Sequence, residues 1–121
     1  MLNFNSVLIG SANPKGLVEF YGKVFDKKPE WESGDFVGWK IGSGYLVIGP
    51  HDKVQGKSAN PERIILNFET TDVKSEYERV LGVGADSVQG PYNPGEEPTM
   101  LMATLADPDG NFFQLNTPME F

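Results

Sequence analysis

The sequence predicts an α+β fold made of two successive βαβββ modules. A pattern of strand, helix and three strands occurs twice, a polar connector separates the copies, and the candidate helix caps Asn13 and Asp72 lie 59 residues apart. With 121 residues, of which 39% are hydrophobic, the chain is long enough for one domain with a core. We expect a single domain over residues 1–121, with modules at about 1–53 and 62–121 and a connector at about 54–61.

The first module begins with a strand between Leu2 and Gly10, indicated by Phe4, Val7, Leu8 and Ile9, and a helix follows it. Asn13 can cap this helix, and Pro14 suits its first turn. The helix should end near residues 26–29, because Pro29 cannot continue it. Three apolar stretches then predict strands around Trp31, at 36–41 and at 45–48, with a turn at 43–44. The helix carries an apolar stripe at helical spacing, formed by Leu17, Phe20, Tyr21, Val24 and Phe25.

The second module repeats this order. A strand at 64–68 precedes a helix that Asp72 caps and that Gly82 and Gly84 end. Its apolar stripe consists of Val73, Tyr77, Val80 and Leu81. Strands are expected at 85–88, 100–105 and 112–116, with a long loop at 91–98 and a tight turn at 107–111. In that turn, proline presets φ and Gly110 accepts the positive φ that closes a hairpin.

Charge and composition exclude several classes of function. The chain carries 10 Lys or Arg against 17 Asp or Glu, a net charge of -7, whereas nucleic-acid binding requires a basic face. Residues 1–58 contain seven Lys and six acids, but residues 59–121 contain three Lys or Arg and eleven acids. This uneven charge fits a solvated acidic surface or a cleft for a cationic ligand. No apolar run approaches the ~20 residues of a membrane span, and no signal peptide is recognisable. We expect a cytoplasmic protein without membrane or nucleic-acid partners.

Two segments give this pattern a family resemblance. The helix segment 20–25 (Phe-Tyr-Gly-Lys-Val-Phe) and the turn 107–111 (Asp-Pro-Asp-Gly-Asn), with the duplicated βαβββ order, resemble the vicinal oxygen chelate superfamily. This superfamily comprises glyoxalases, bleomycin-resistance proteins and extradiol dioxygenases. The resemblance covers essentially the whole chain and implies a half-open barrel of eight strands with the ligand on its concave side.

The resemblance also assigns positions for metal ligands. In metal-dependent members these lie on the first and last strands of each module, which correspond here to Ser6, Val47, Ile65 and Gln114. Serine, valine and isoleucine are poor or impossible ligands, and glutamine is a weak neutral one. The single histidine, His51, reads as an exposed loop residue and cannot supply a two-histidine iron site. We therefore expect no family-type metal, no other cofactor and no catalytic residue.

Strand alternation predicts which side chains face the concavity. The candidate ligand-binding residues are Ser6, Trp39, Tyr45, Asn67, Glu69, Met102, Phe112 and Gln114, with Leu8, Val47 and Asn116 as neighbours. The opposite faces should pack under the helices through Val7, Ile9, Leu46, Ile48, Leu66, Phe68, Phe113 and Leu115. Each candidate also has a structural alternative: the aromatic residues suit a core or a dimer interface, Met102 fills cores, and Glu69 suits a solvated strand end.

The function expected from these features is small-molecule binding. The resemblance to the bleomycin-resistance branch implies a homodimer that sequesters an organic ligand, here cationic or aromatic, in a role of resistance or sequestration. The alternatives are a divergent metal-dependent lyase, isomerase or dioxygenase of the glyoxalase type, and a structural or regulatory module without a ligand. Metal analysis of the purified protein separates the first two.

Overall fold

The computed structural model describes residues 1–95 and 97–119, and the chain divides into two compact units, Met1–Gly56 and Lys57–Phe121. Each unit contains one helix and one four-stranded sheet in the order βαβββ. The predicted α+β class with two such modules is confirmed. Among the described helices, none is long and apolar enough to cross a membrane.

The first module has a mixed sheet in the strand order β1-β4-β3-β2. β1 runs parallel to β4, and the other two pairs are antiparallel. The parallel pair requires a crossover, which the helix supplies. The elements are β1 (Ser6–Ser11), α1 (Pro14–Phe25), β2 (Trp31–Ser33), β3 (Phe36–Ile41) and β4 (Gly44–Pro50).

Helix α1 begins and ends where the sequence predicts. The side chain of Asn13 accepts a hydrogen bond from the backbone N–H of Gly16 at 3.3 Å, and Pro14 occupies the first turn. The helix ends at Asp26, which takes a left-handed conformation with φ of 54°. Its apolar stripe is buried against the sheet through Leu17, Phe20, Tyr21 and Val24.

The predicted position of Trp39 on the concave face was wrong, because Trp39 lies in this core, on the side of the sheet that α1 covers. It pairs with Leu46 across β3 and β4, so both side chains point toward α1. Its ring is fully buried and lies 5.5 Å from that of Phe25, centre to centre. The indole N–H donates to the Lys27 carbonyl at 3.1 Å, which satisfies its one polar group.

The second module repeats the topology with the strand order β5-β8-β7-β6 and a parallel β5–β8 pair. Asp72 caps its helix by accepting from the N–H of Ser75 at 3.1 Å. Phe113 and Leu115 are buried on the helix side, where the ring of Phe68 contacts that of Phe113. The elements are β5 (Leu66–Glu69), α2 (Val73–Gly82), β6 (Asp86–Tyr92), β7 (Met102–Ala106) and β8 (Phe112–Asn116).

Strand β6 is longer than predicted. It includes Pro91 and Tyr92, which the sequence analysis assigned to the loop at 91–98, and Glu96 of that loop lies outside the described residues. β6 is an edge strand, and its pairing with β7 shifts register twice. An edge strand with such irregularities tolerates proline, because the missing N–H can face away from the neighbouring strand.

The turn at 107–111 is the predicted hairpin. The buried Asp107 carboxylate accepts from the backbone N–H groups of Asp109 at 2.9 Å and Asn111 at 3.0 Å, and from the side-chain amide of Asn111. Gly110 has φ of 79°, which favours glycine. By closing this turn, the five residues fix the β7–β8 register and so decide which side chains of the two strands are neighbours.

Candidate functional site

The face of the second sheet that is turned away from α2 is lined by polar side chains. Strand register places Asn67, Gln114, Thr104 and Gln89 in one row across the four strands. The next row contains Glu69, Asn116, Met102 and Tyr92. We call these two rows the polar face of the second module. Of the residues predicted to bind ligand, it brings together Asn67, Glu69, Met102 and Gln114, with Phe112 two residues before Gln114 on the same side of β8.

Gln114 is held in position by a neighbouring strand. Its side-chain amide donates to the hydroxyl of Thr104 at 3.1 Å, and Thr104 is buried. In the same row, Asn67 is exposed and its amide donates to the Ile65 carbonyl at 3.3 Å. The row can therefore offer amide oxygens as acceptors to a bound molecule without first breaking strand pairing.

Asn116 is the buried polar residue of the second row. It is only 2% exposed, and its side-chain N–H donates to the Thr117 carbonyl at 3.0 Å. Its side-chain oxygen, Oδ1, has no hydrogen-bond partner among the described residues. A buried acceptor in this condition costs about 1–3 kcal/mol unless a water or a ligand donates to it. Met102 is the strand neighbour of Asn116, and its sulfur contacts the Tyr92 hydroxyl at 3.8 Å.

The corresponding face of the first module is apolar. Leu8, Trp31 and Tyr45 are 55%, 47% and 44% exposed on it, and Tyr45 lies opposite Ser6 in the β1–β4 ladder. Ser6 is exposed and its hydroxyl donates to the side chain of Asn5 at 2.7 Å. We call this surface the apolar face of the first module. Exposed apolar surface of this kind is typical of interaction sites.

A cavity of about 260 Å³ opens at one end of the apolar face. Its floor and one wall come from Leu8, Gly10 and Phe36, and its rim comes from the segment at 50–54, through Pro50, His51, Lys53 and Val54. The sequence analysis did not predict this cavity.

The comparison with known families agrees with this architecture. Residues 6–116 match the family model described as a glyoxalase-like domain. The chain belongs to the glyoxalase-like domain family. No curated protein matches this glyoxalase-like chain in sequence.

Solved structures with the same fold extend across almost the whole chain. A glyoxalase-related enzyme from Fulvimarina pelagi is 17% identical, with a TM-score of 0.77 over 98% of this chain and 89% of that one. A glyoxalase/bleomycin resistance protein/dioxygenase family enzyme from Burkholderia phytofirmans PsJN is 21% identical, with a TM-score of 0.76 over 95% and 98%. TioX from Micromonospora sp. ML1 is 15% identical, with a TM-score of 0.72 over 97% and 99%. At these identities the likeness is one of fold.

The residues at the superfamily's metal positions do not fit a divalent metal in this glyoxalase-like protein. In the first module they are a serine whose hydroxyl already donates to Asn5 and the aliphatic Val47. In the second module they are Ile65 and Gln114, and the amide of Gln114 donates to Thr104. These groups supply no carboxylate and no imidazole. Within the part of the chain that the structure describes, no group of three His, Asp or Glu side chains is close enough to hold a metal ion.

Sequence reasoning overlooked Thr104 and the cavity of the first module. Thr104 was not considered, although alternation along β7 places it on the same face as Met102. Asn116 was placed on the correct face as a neighbour, but only its burial identifies it as a candidate binding residue. The cavity of the first module left a weak signal in Gly10 and Gly49, two residues without side chains on adjacent strands.

Proposed function

We propose that this glyoxalase-like protein binds an organic small molecule on the polar face of the second module, without a family-type metal. The observation that carries the proposal is the buried Oδ1 of Asn116, which lacks a protein donor. Because this oxygen is buried, neighbouring side chains must move before a ligand N–H group or ammonium group can donate to it, and the new hydrogen bond would remove the cost of leaving it unpaired. The neighbouring Glu69 in the same row supplies a carboxylate for the same group.

Charge and side-chain type narrow the ligand to an aromatic cation. Residues 59–121 carry eleven acids against three Lys or Arg, so a cation is attracted to this module. Met102 pairs with Asn116, and Tyr92 pairs with Met102 on the next strand, so this row offers an aromatic ring and a polarisable sulfur, both of which contact aromatic or cationic groups favourably. The proposal also includes the remaining candidates, which lie on the sheet faces turned away from the helices. They are Ser6 and Tyr45 of the first module and Asn67, Phe112 and Gln114 of the second.

A thermal-shift titration with tryptamine tests this proposal, because tryptamine joins an aromatic ring to an ammonium group. At 100 times its dissociation constant, a ligand stabilises the folded state by about 2.7 kcal/mol. Glu69→Gln should weaken tryptamine binding about tenfold, because a hydrogen bond to a charged group is lost. Glu78→Gln is the matched control, since Glu78 is an exposed acid on α2. Equal affinity of the Glu69→Gln variant and the wild type would remove the electrostatic part of the proposal.

The alternative function is a divergent lyase, isomerase or dioxygenase that depends on a metal. Elemental analysis of the purified protein distinguishes it from metal-free binding. Stoichiometric nickel, zinc, iron or manganese would overturn the leading proposal. A module without a ligand would instead show no stabilisation by any member of a broad panel of organic cations and aromatic compounds.

Assembly, location and cellular role belong to the same proposal. The exposed apolar residues Met1, Leu2 and Phe4 support a homodimer, since such residues commonly become buried in an interface. Sedimentation equilibrium of the wild type and of Phe4→Ser tests the dimer, which the substitution should weaken.

We propose a cytoplasmic location for the protein, where sequestration of a toxic cation would confer resistance on cells that express it.

A further inference from the structure

The cavity on the apolar face of the first module is lined in part by Gly10, which has no side chain. Gly10 and Gly49 are partners in the parallel β1–β4 pair. A Cβ atom on Gly49 would lie 2.2 Å from the Phe36 ring, so this ring rests directly against the backbone. A Cβ atom on Gly10 would lie 3.0 Å from the Cβ atom of His51 and 3.3 Å from a Val54 methyl carbon. The two glycines therefore leave room for the Phe36 ring over Gly49 and for His51 and Val54 beside Gly10, and these side chains line the cavity together with Leu8.

The rim of the cavity carries hydrogen-bond donors. The backbone N–H of Lys53 donates to Nδ1 of His51 at 3.1 Å. Nδ1 can accept only when it is unprotonated, so the proton of the neutral ring is on Nε2. Nε2 has no partner among the residues that the structure describes, and it is free to donate to a ligand.

Charge at the rim favours an anion over a cation. Lys53 is exposed, and no ion pair is seen for it within the described residues. Asp52 Oδ1 lies 3.5 Å from Nδ1 of His51, but the Asp52 side chain is 87% exposed and would attract this nitrogen only in the protonated ring. The rim thus presents an ammonium group and an imidazole N–H beside an apolar cavity.

We infer that this cavity binds a small aryl carboxylate, with the ring between Leu8 and Phe36 and the carboxylate at His51 Nε2 and the Lys53 ammonium. The volume of about 260 Å³ is sufficient, since an apolar cavity of about 150 Å³ accepts a benzene molecule. All the residues involved belong to the first module. The inference therefore does not depend on the function proposed for the second module.

An NMR titration of ¹⁵N-labelled protein with three compounds of similar shape tests the inference. Phenylacetate is the anion, phenylacetamide the neutral analogue and benzylamine the cation. Phenylacetate should shift the amide signals of Gly10, Lys53 and Val54 to saturation and bind at least tenfold more tightly than benzylamine, with phenylacetamide between them. Equal or tighter binding of benzylamine, or shifts confined to other residues, would overturn the inference.

Two exposed positions allow the ring and the charge to be tested separately without threatening the fold. Lys53→Met should weaken phenylacetate about fivefold, as expected for an exposed charge pair, and leave phenylacetamide unchanged. Lys15→Met, at an exposed lysine of α1, is the matched control and should change neither. Leu8→Ala should weaken both compounds, because the ring loses one of its walls. Glu69→Gln should leave phenylacetate binding unaltered, so failure here and failure of the proposed function are distinguishable.

Discussion

The substitution Asn116→Leu should make the protein more stable while it weakens ligand binding. Leucine has the same branched skeleton as asparagine but carries no polar atom. Asn116 is almost fully buried, and its Oδ1 has no protein donor in the described chain. A buried acceptor without a protein donor is a candidate binding atom, because residues kept for function often oppose stability.

The size of the stability change follows from the contacts of Asn116. Removing the unpaired buried acceptor gains about 1–3 kcal/mol, and losing the hydrogen bond to the Thr117 carbonyl costs about 1 kcal/mol. The leucine methyl groups fill slightly more space than the amide, which offsets part of their apolar burial. The expected net gain is about 1 kcal/mol in the free energy of unfolding, or roughly 4 °C in Tm.

Urea denaturation and tryptamine titration of the same samples provide the assay. The urea midpoint should rise with an unchanged m-value, which shows that stability and not compactness has changed. Tryptamine affinity should fall about tenfold, because the ligand N–H loses its acceptor. The control is Asn67→Leu, since Asn67 lies on the same face but is exposed and should gain no stability. A variant that is less stable than the wild type and binds tryptamine normally would refute the reasoning.

Three further substitutions test the fold and its pH dependence. Asp107→Ala should lower the free energy of unfolding by about 2–4 kcal/mol in urea denaturation, because several N–H donors of the turn lose a buried acceptor; a change within measurement error would contradict this role. Gly49→Ala should cost about 1–3 kcal/mol because the new methyl group meets the Phe36 ring, whereas Gly44→Ala, with no atom within 4 Å of the new Cβ, should cost far less. A hydrogen bond from the Lys27 side chain, together with the charge of Lys27, holds the pKa of Glu30 below its ordinary value of 4.5. The ion pair therefore stabilises the fold fully above pH 4.5, and this contribution is lost as the pH falls through the lowered pKa of Glu30. Glu30→Gln should therefore flatten this part of the stability profile between pH 7 and pH 3, and an unchanged profile would argue against the pair.

Local signals were sufficient to predict the helices and most strands. Asn13 and Asp72 cap their helices through the predicted side-chain hydrogen bonds, which depend on residues three positions away in the chain. The placement of Trp39 was wrong although the sequence contained the necessary signal. The β3–β4 turn is Gly42-Ser43, one residue earlier than predicted, and either turn position pairs Trp39 with a core residue, Leu46 or Ile48. Hairpin pairing should therefore have been applied before the indole ring was assigned to a ligand.

The candidate sites depend on contacts between residues far apart in the sequence, so local patterns could not predict them. Gly10, which lines the cavity, and Gly49, which lies under the Phe36 ring, are neighbours only because β1 and β4 are parallel partners in that register. His51 borders the cavity only because the segment after β4 folds back over Gly10. In the second module, the unpaired state of Asn116 Oδ1 follows from its burial, and burial is a property of the packed chain. Composition predicted that residues 59–121 carry a negative charge, but it did not predict which atoms a ligand would contact.

The two candidate sites occupy equivalent positions in the repeated topology. The 59-residue offset between the helix caps relates Gly10 of β1 to Glu69 of β5. Their partners on the parallel strands are Gly49 and Asn116. A pair of glycines in one module thus corresponds to a carboxylate and an amide in the other. At the same place in the fold, the glycines leave room for the side chains of Phe36, His51 and Val54, whereas the polar pair offers acceptors. Because strand register fixes these positions, the two modules present different chemistry at the same place, with side chains packed over glycine in the first and a carboxylate beside an amide in the second.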